Sequence, residues 1–204
     1  MATSSDTGEI VELLQTLIRN ECVNDGAITS GHEIRNAQLL NDYLSSDCEV
    51  EIFEPYPGRG SLVGRIEGSD PDAPKLCLMG HLDVVPVNPD GWDEDPFGGE
   101  LIDGEIWGRG AVDMLNLTSS MAVVFHRLAA ENFRPKGDLI FFGVADEEAG
   151  GTYGAGWFSE NSWDGVACDY VLTESGGLTS RSDNGPVVAM HVAEKGYDWR
   201  VLTV

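Results

Sequence analysis

Apolar positions near the start of the chain recur every three or four residues, which is the spacing of one face of an amphipathic helix. This pattern predicts a first helix around residues 10–18, and later stretches predict helices over 33–45 and 115–131 and a short one over 154–159. The expected buried stripes are Ile10, Leu13, Leu14, Leu17 and Ile18 in the first helix, and Met121, Val124, Phe125 and Leu128 in the third long one.

Shorter apolar runs between these helices are typical of strands. The run Lys75–Met79 is largely apolar and ends at Gly80, which suits a strand buried on both faces. Predicted strands occupy residues 50–54, 61–66, 75–79, 138–145, 169–172, 186–192 and 197–204, with a small hairpin over 101–107 and a loop over 85–99. The alternation predicts an α/β fold, with a mixed, mostly parallel sheet sandwiched by helices.

Acidic residues greatly outnumber basic ones. The 204 residues include 35 Asp and Glu but only 12 Lys and Arg, for a formal net charge of -23. This charge repels phosphate backbones, so nucleic acid is not expected as a partner. Most of the carboxylates are interpreted as solvated surface, while a handful could converge on a metal ion.

The cysteines and the N-terminus bear on the compartment. Cys22, Cys48, Cys77 and Cys168 form no C-x-x-C pair, which favours free thiols in a reducing compartment over a disulfide framework. No apolar run reaches the roughly 18 residues of a membrane-spanning helix, and the first eight residues lack the basic residues of a leader. We therefore expect a cytoplasmic protein without a membrane partner.

Four polar clusters each follow a predicted strand or hairpin. They are Gly80–Asp83, Gly108–Asp113, Asp146–Glu148 and Thr173–Gly177. If the strands run parallel, one imidazole and several carboxylates meet at the carboxyl edge of the sheet, where ligands of α/β proteins bind. Crowded carboxylates repel one another unless a cation lies between them. Histidine with Asp and Glu, and no cysteine, suits zinc, with cobalt or manganese as substitutes.

Each cluster taken alone has a plainer interpretation. His81 could be a hydrogen-bonded loop residue, Asp113 could cap the following helix, and Glu147 with Glu148 could be solvated charge at a helix start. Glu174 alone carries no signal. The four clusters together, each at a strand end and in a glycine-rich setting, favour a metal centre.

The motifs resemble those of a known family. They are Gly80-His81-Leu82-Asp83-Val84-Val85-Pro86, Trp92 with Asp95-Pro96-Phe97, Gly108-Arg109-Gly110-Ala111-Val112-Asp113 and Asp146-Glu147-Glu148-Ala149-Gly150-Gly151. In order and spacing they resemble the zinc metallopeptidases that comprise aminoacylases, glutamate carboxypeptidases and succinyl-diaminopimelate desuccinylases. The resemblance covers nearly the whole chain and implies a zinc-peptidase-like catalytic domain.

The resemblance implies two divalent metal ions, most simply zinc, and a ligand set for them. His81 would bind one ion, Glu174 would complete that site, Asp113 would bridge both ions, and Glu148 would bind the other. A cis peptide bond is implied between Asp113 and Met114.

The resemblance also implies the reaction, which is hydrolysis of an amide bond in a small peptide or N-acyl amino acid. Glu147 would be the general base that activates a water bridging the two ions. Asp83 would hydrogen-bond the far ring nitrogen of His81 and fix its tautomer.

Other parts of the family could not be placed in this sequence. These are a late His that completes the Glu148 site and a lid domain that mediates homodimers and contributes to substrate binding. His32 and His126 are assigned structural roles, and His191 lies near a stretch that resembles the entry to the lid. We predict residues 1–185 as the first segment of the catalytic metal-binding domain and 186–204 as the start of an α+β lid or dimerisation domain. The 204-residue chain alone is expected to bind the second ion weakly and to hydrolyse little.

Two other interpretations stay open. A different two-zinc aminopeptidase family uses similar residues, although the Gly-Arg-Gly-Ala-x-Asp block argues against it. A non-catalytic binding protein could retain the fold, although the intact site side chains argue against decay. Aminoacylase, dipeptidase, carboxypeptidase and desuccinylase activities all remain open as the specific reaction.

Overall fold

The structure, a computed structural model, describes residues 4–174, 179–183 and 185–188. The chain divides into two compact units, residues 1–173 and 174–204. The domain boundary predicted between residues 185 and 186 stays a prediction.

Five helices of the first unit confirm the predicted helical segments and add one that the sequence analysis missed. They are α1 (Ser4–Arg19), α2 (Ile34–Leu44), α3 (Leu115–Ala130), α4 (Ala155–Asn161) and α5 (Trp163–Val166). The unforeseen helix is the four-residue α5, which is too short to show a periodic pattern. None of the described helices is both long and apolar enough to cross a membrane.

The buried face of α3 differs from the predicted stripe. Val124 is half-exposed to solvent, whereas Ala122, Val123 and Phe125 are buried. The helix extends its buried face through Thr118 and Ser119, whose small side chains let the helix approach the sheet. The sequence analysis counted only apolar residues as buried and so left out Thr118 and Ser119. The predicted buried stripe was therefore turned around the helix axis relative to the observed one.

The central sheet of the first unit has five strands in the order β1-β2-β6-β3-β7. They are β1 (Glu49–Tyr56), β2 (Arg59–Ile66), β3 (Leu76–His81), β6 (Leu139–Val144) and β7 (Tyr170–Leu172), while β4 (Glu100–Ile102) and β5 (Glu105–Trp107) pair separately. The β3 strand pairs in parallel with both β6 and β7, whereas β2 pairs antiparallel with β1 and β6. Only β2 therefore runs against the others, which confirms a mixed, mostly parallel sheet.

Two apolar cores cover the two faces of this sheet. One joins α1, α2 and α3 to sheet residues such as Leu78 and Phe141, and the other packs Phe158 of α4 and Val166 of α5 against Phe142. Neighbouring residues of β6 point to opposite faces, so a strand buried along its whole length supplies both cores. Helices on both faces confirm the predicted sandwich.

The second unit contains a short antiparallel pair among its described residues. It consists of β8 (Thr179–Ser182) and β9 (Gly185–Val188). The strand predicted over 186–192 overlaps β9 only in its first residues, and β8 was not predicted. The remainder of that strand and the strand predicted over 197–204 lie outside the described residues.

A close contact at the start of α4 leads to a first prediction. A Cβ on Gly154 would lie 1.8 Å from the carbonyl oxygen of Ala145, which directly follows β6. Because that neighbour is backbone, Gly154→Ala must shift α4 away from the sheet and should lower the free energy of unfolding by about 1–3 kcal/mol. Urea denaturation of the 204-residue chain measures this.

Gly91→Ala is the matched control, because nothing lies within 4 Å of a Cβ at Gly91. We expect its unfolding midpoint to match the parent. Equal midpoints for the Gly154 and Gly91 variants would contradict the steric argument.

Candidate metal centre

His81 is the last residue of β3, and its ring orientation is set by its surroundings. It is buried, and its Nδ1 lies 2.9 Å from the backbone carbonyl oxygen of Asp83. A carbonyl only accepts hydrogen bonds, so Nδ1 carries a hydrogen, and in the neutral ring Nε2 then presents its lone pair to the site. The backbone of His81 is held by α3, since its N–H meets Met114 Sδ at 3.3 Å and Thr118 Oγ1 donates to its carbonyl at 3.1 Å.

The Asp83 side chain makes contacts other than the one expected from the resemblance. Its carboxylate oxygen is 3.6 Å from His81 Nδ1, and the shorter contact to the ring is made by the Asp83 carbonyl. The buried carboxylate instead accepts from the backbone N–H groups of Glu147 at 3.2 Å and Glu148 at 3.1 Å. Asp83 therefore orients the imidazole with its backbone and the Glu147–Glu148 turn with its side chain.

Asp113 reaches the site by a different route from the one predicted. The hairpin of β4 and β5 is separate from the central sheet, so Asp113 does not follow a strand of that sheet. The loop after β5 carries it to the start of α3, where the Asp113–Met114 peptide bond is cis, as the resemblance implied. Asp113 Oδ1 lies 3.1 Å from His81 Nε2, with its side chain largely exposed.

Glu147 and Glu148 follow β6 on a single turn of 3-10 helix. The turn begins after Asp146, which has a left-handed backbone conformation with φ of 65°. Because β6 lies beside β3 in parallel, this turn comes next to His81. One ligand atom from each of His81, Glu147 and Glu148 lies within 4.8 Å of the others.

Glu174 is the first residue of the second unit. It follows β7, whose Leu172 is in register with Leu78 of β3. Its part in metal binding stays a prediction.

The donor atoms of the first unit fit a divalent cation. In the neutral ring, His81 Nε2 is an acceptor, as is the Asp113 carboxylate oxygen, and two acceptors at 3.1 Å require a proton or a cation between them. Asp113, Glu147 and Glu148 form no ion pair with a lysine or arginine among the described residues. Imidazole nitrogen and carboxylate oxygen are ligand atoms that zinc, cobalt and manganese bind.

The acid–base behaviour of these groups shows the same excess of negative charge. Burial raises the pKa of Glu148 to about 7, with His81 lowering it and Asp113 raising it. Burial also raises the pKa of Glu147. For His81, burial opposes the protonated ring, but the Asp83 and Glu147 carboxylates outweigh it and raise the pKa of the imidazole. These shifts show that the carboxylates crowd one another, and a cation between them would relieve the repulsion.

A buried charged network behind the site was missed by the sequence analysis. Arg59, 1% exposed, pairs with Glu33 at 3.2 Å and with Asp146, and its Nη1 donates to the Ser30 carbonyl at 2.5 Å. Asn24 donates to the Asp146 carboxylate at 3.1 Å. The one available signal was an arginine just before a predicted strand, in a chain with few cations.

This network gives a prediction for the pH dependence of stability. Burial, and then the charge of Asp83, raises the pKa of Glu33 from 4.5 to about 7. The folded state therefore binds the Glu33 proton more tightly than the unfolded state does. The contribution of this proton to the free energy of unfolding is complete below pH 4.5 and is lost as the pH rises towards about 7. We expect the thermal midpoint of Glu33→Gln to fall less steeply than that of the parent over this range.

Glu160→Gln is the control, because Glu160 is an exposed glutamate on α4. It should keep the slope of the parent. If Glu33→Gln also keeps that slope, Glu33 does not titrate as the structure implies.

Comparison with known proteins identifies the family and the fold of this α/β domain. Residues 77–202 match the model of peptidase family M20/M25/M40. The match covers more than half of the chain, and the chain therefore belongs to this family, which confirms the resemblance seen in the motifs.

Individual relatives match over part of their length. The chain is 34% identical over 112 residues to succinyl-diaminopimelate desuccinylase of Acinetobacter baylyi, covering 50% of this chain and 30% of the relative. It is 39% identical over 125 residues to the N-fatty-acyl-amino acid synthase/hydrolase PM20D1 of Mus musculus, covering 61% and 24%. The aligned region is thus less than a third of either relative.

Among solved structures, the M20 family metallo-carboxypeptidase Sso-CP2 from Sulfolobus solfataricus has the same fold. The TM-score is 0.65 at 20% identity, and the match covers 86% of this chain and 38% of that one. This likeness confirms the predicted fold class.

Proposed function

We propose that the full-length protein is a metal-dependent hydrolase that cleaves an amide bond in a small peptide or an N-acyl amino acid. The observation that carries the proposal is the approach of His81 Nε2 and Asp113 Oδ1 to 3.1 Å, with Glu147 and Glu148 beside the same imidazole. Acceptor atoms converge here without a basic side chain between them, which favours a cation.

Each metal-binding residue has a proposed role. His81 and Glu174 would hold one ion, Glu148 would hold the second, and Asp113 would contribute to both. Two divalent ions, zinc by preference and cobalt or manganese as substitutes, supply a polarised carbonyl and an acidified water when bound.

The remaining residues move the proton and hold the geometry. Glu147 takes the proton from the water and delivers it to the leaving amine. Its raised pKa suits a group that must both accept and donate near neutral pH. Asp83 keeps Glu147 beside His81, because it binds the ring with its carbonyl and the turn with its carboxylate.

The names of two relatives support the substrate class. One names a succinyl group on diaminopimelate, and the other names a fatty-acyl group on the nitrogen of an amino acid. A peptide presents the same amide chemistry. We further propose that the whole protein is a cytoplasmic homodimer that assembles through a lid domain and binds neither nucleic acid nor membrane.

The test uses the full-length protein and a panel of N-acetyl amino acids, N-succinyl amino acids and dipeptides. Stripping with a chelator should abolish turnover, and zinc, cobalt or manganese should restore it. A folded, metal-loaded protein that binds members of the panel but cleaves none would instead identify a non-catalytic binding protein.

A further inference from the structure

Asn24 joins two buried carboxylates behind the metal centre. Its Nδ2 lies 2.8 Å from Asp83 Oδ2 and 3.1 Å from Asp146 Oδ1, and all three residues are buried. A carboxamide nitrogen has two hydrogens, so one can be given to each carboxylate.

The orientation of this amide is fixed from its other end. Asn24 Oδ1 accepts from the Gly26 N–H at 3.1 Å. Ser30 Oγ lies 3.3 Å from the same oxygen, but its one hydrogen has a closer acceptor in the Ala27 carbonyl at 2.8 Å. The Gly26 N–H requires the amide oxygen on its side, so the nitrogen must face the two carboxylates.

The backbone of Asn24 is anchored beside the strand end that carries His81 and Asp83. Its N–H donates to the Val84 carbonyl at 2.8 Å, and the Val84 N–H donates to the Cys22 carbonyl at 2.9 Å. Val23 and Val84 form a parallel bridge. Because Asp83 directly precedes Val84, these backbone bonds fix the position of Asn24 relative to Asp83.

The two carboxylates that Asn24 joins both control the turn of Glu147 and Glu148. Asp83 accepts from the N–H groups of both glutamates. Asp146 immediately precedes them in a left-handed conformation, with its side chain also held by Arg59 and by the Tyr153 N–H at 3.0 Å. Asp83 has no arginine or lysine partner among the described residues, so the Asn24 amide is its side-chain donor.

We propose that Asn24 is a positioning residue of the metal centre: its amide ties Asp83 to Asp146 and so sets the place of Glu147 and Glu148 relative to His81. The part of this proposal that concerns metal binding rests on the proposed function above. Asn24 acts through Asp83 and Asp146 and is not assigned as a ligand.

The first test needs no metal. Asn24→Leu keeps the approximate volume but removes both donors, so the Glu147 and Glu148 amides should exchange with solvent at least about 10-fold faster in the metal-free 204-residue chain. Phe125→Leu is the control of reduced stability, because Phe125 is fully buried in α3 and packs on Phe141 away from the site. Its effect on those two amides should be no larger than its effect on other core amides.

The second test measures metal binding by the full-length protein, because the 204-residue chain alone is expected to bind the second ion weakly. Asn24→Leu should weaken zinc binding in calorimetry by about 10–100-fold, the usual loss when a partner behind a ligand is removed, and should change the absorption spectrum of bound cobalt. Phe125→Leu should keep the parent affinity and spectrum. Asn24→Ser retains one hydroxyl donor and should show a smaller loss, and it replaces the leucine variant if that variant does not fold.

The outcomes separate the two proposals. Unchanged exchange at Glu147 and Glu148 in the folded Asn24 variants overturns the positioning role, as does an equal loss of metal affinity in Phe125→Leu. If the parent binds no zinc, or Glu148→Gln binds it as well as the parent, the proposed metal centre is wrong, while the exchange data still decide the role of Asn24.

Discussion

Replacing Glu147 by glutamine in the full-length protein is expected to lower amide hydrolysis by about 10²–10⁴-fold while metal affinity stays close to that of the parent. Glutamine keeps the shape of the side chain but cannot accept the proton. Glu147 Oε2 lies 3.8 Å from His81 Nε2, and its backbone is held by Asp83 independently of its side chain. The substitution therefore removes the proton acceptor without disturbing the turn.

The measurement combines steady-state turnover with calorimetric metal titration. Glu148→Gln, one residue further along, should lose metal affinity as well as turnover, and the exposed Glu160→Gln should change neither. If Glu147→Gln retains parental turnover, Glu147 is not the general base. If it loses metal affinity as Glu148→Gln does, Glu147 acts as a ligand instead.

Elements with a strong local pattern were predictable from the sequence. The apolar runs that became β3 and β6 end at His81 and before Asp146, and their parallel pairing brings His81 next to Glu147 and Glu148. The sequence motifs could place these residues at one sheet edge because parallel strands share the direction of their carboxyl ends. This rule does not place Asp113, because the two strands of the hairpin before it pair only with each other and are not part of the central sheet.

The contacts that hold the site lie between residues far apart in sequence, which local patterns do not encode. Arg59 meets Asp146 across 87 positions and Asn24 meets it across 122. A motif likewise does not show whether Asp83 meets the His81 ring with its carboxylate or with its carbonyl. Such choices follow from packing, because a buried polar group takes whichever partner the folded chain presents.

Replacing Arg59 by methionine is expected to cost about 3–5 kcal/mol of unfolding free energy, because it strands buried carboxylates without their cation. Glu33 is fully buried and pairs with Arg59 at 3.2 Å, and Asp146 is nearly as buried. The methionine stem fills much of the space but offers no charge and no donor to Asp146 or to the Ser30 carbonyl. The loss should be visible as a lower urea midpoint of the 204-residue chain above pH 7, where Glu33, whose pKa is raised to about 7, is ionised.

The double variant Arg59→Met with Glu33→Gln distinguishes charge from packing. It leaves one uncompensated carboxylate fewer and should recover part of the lost stability, since Asp146 still accepts from Asn24 and from the Tyr153 N–H. Arg127→Met removes an exposed pair with Glu131 and should cost less than about 1 kcal/mol. A double variant no more stable than Arg59→Met alone would show that Arg59 stabilises the fold by filling space and not by its charge. The hydrogen bonds from Asn24 and the Tyr153 N–H would then be what holds Asp146 in place.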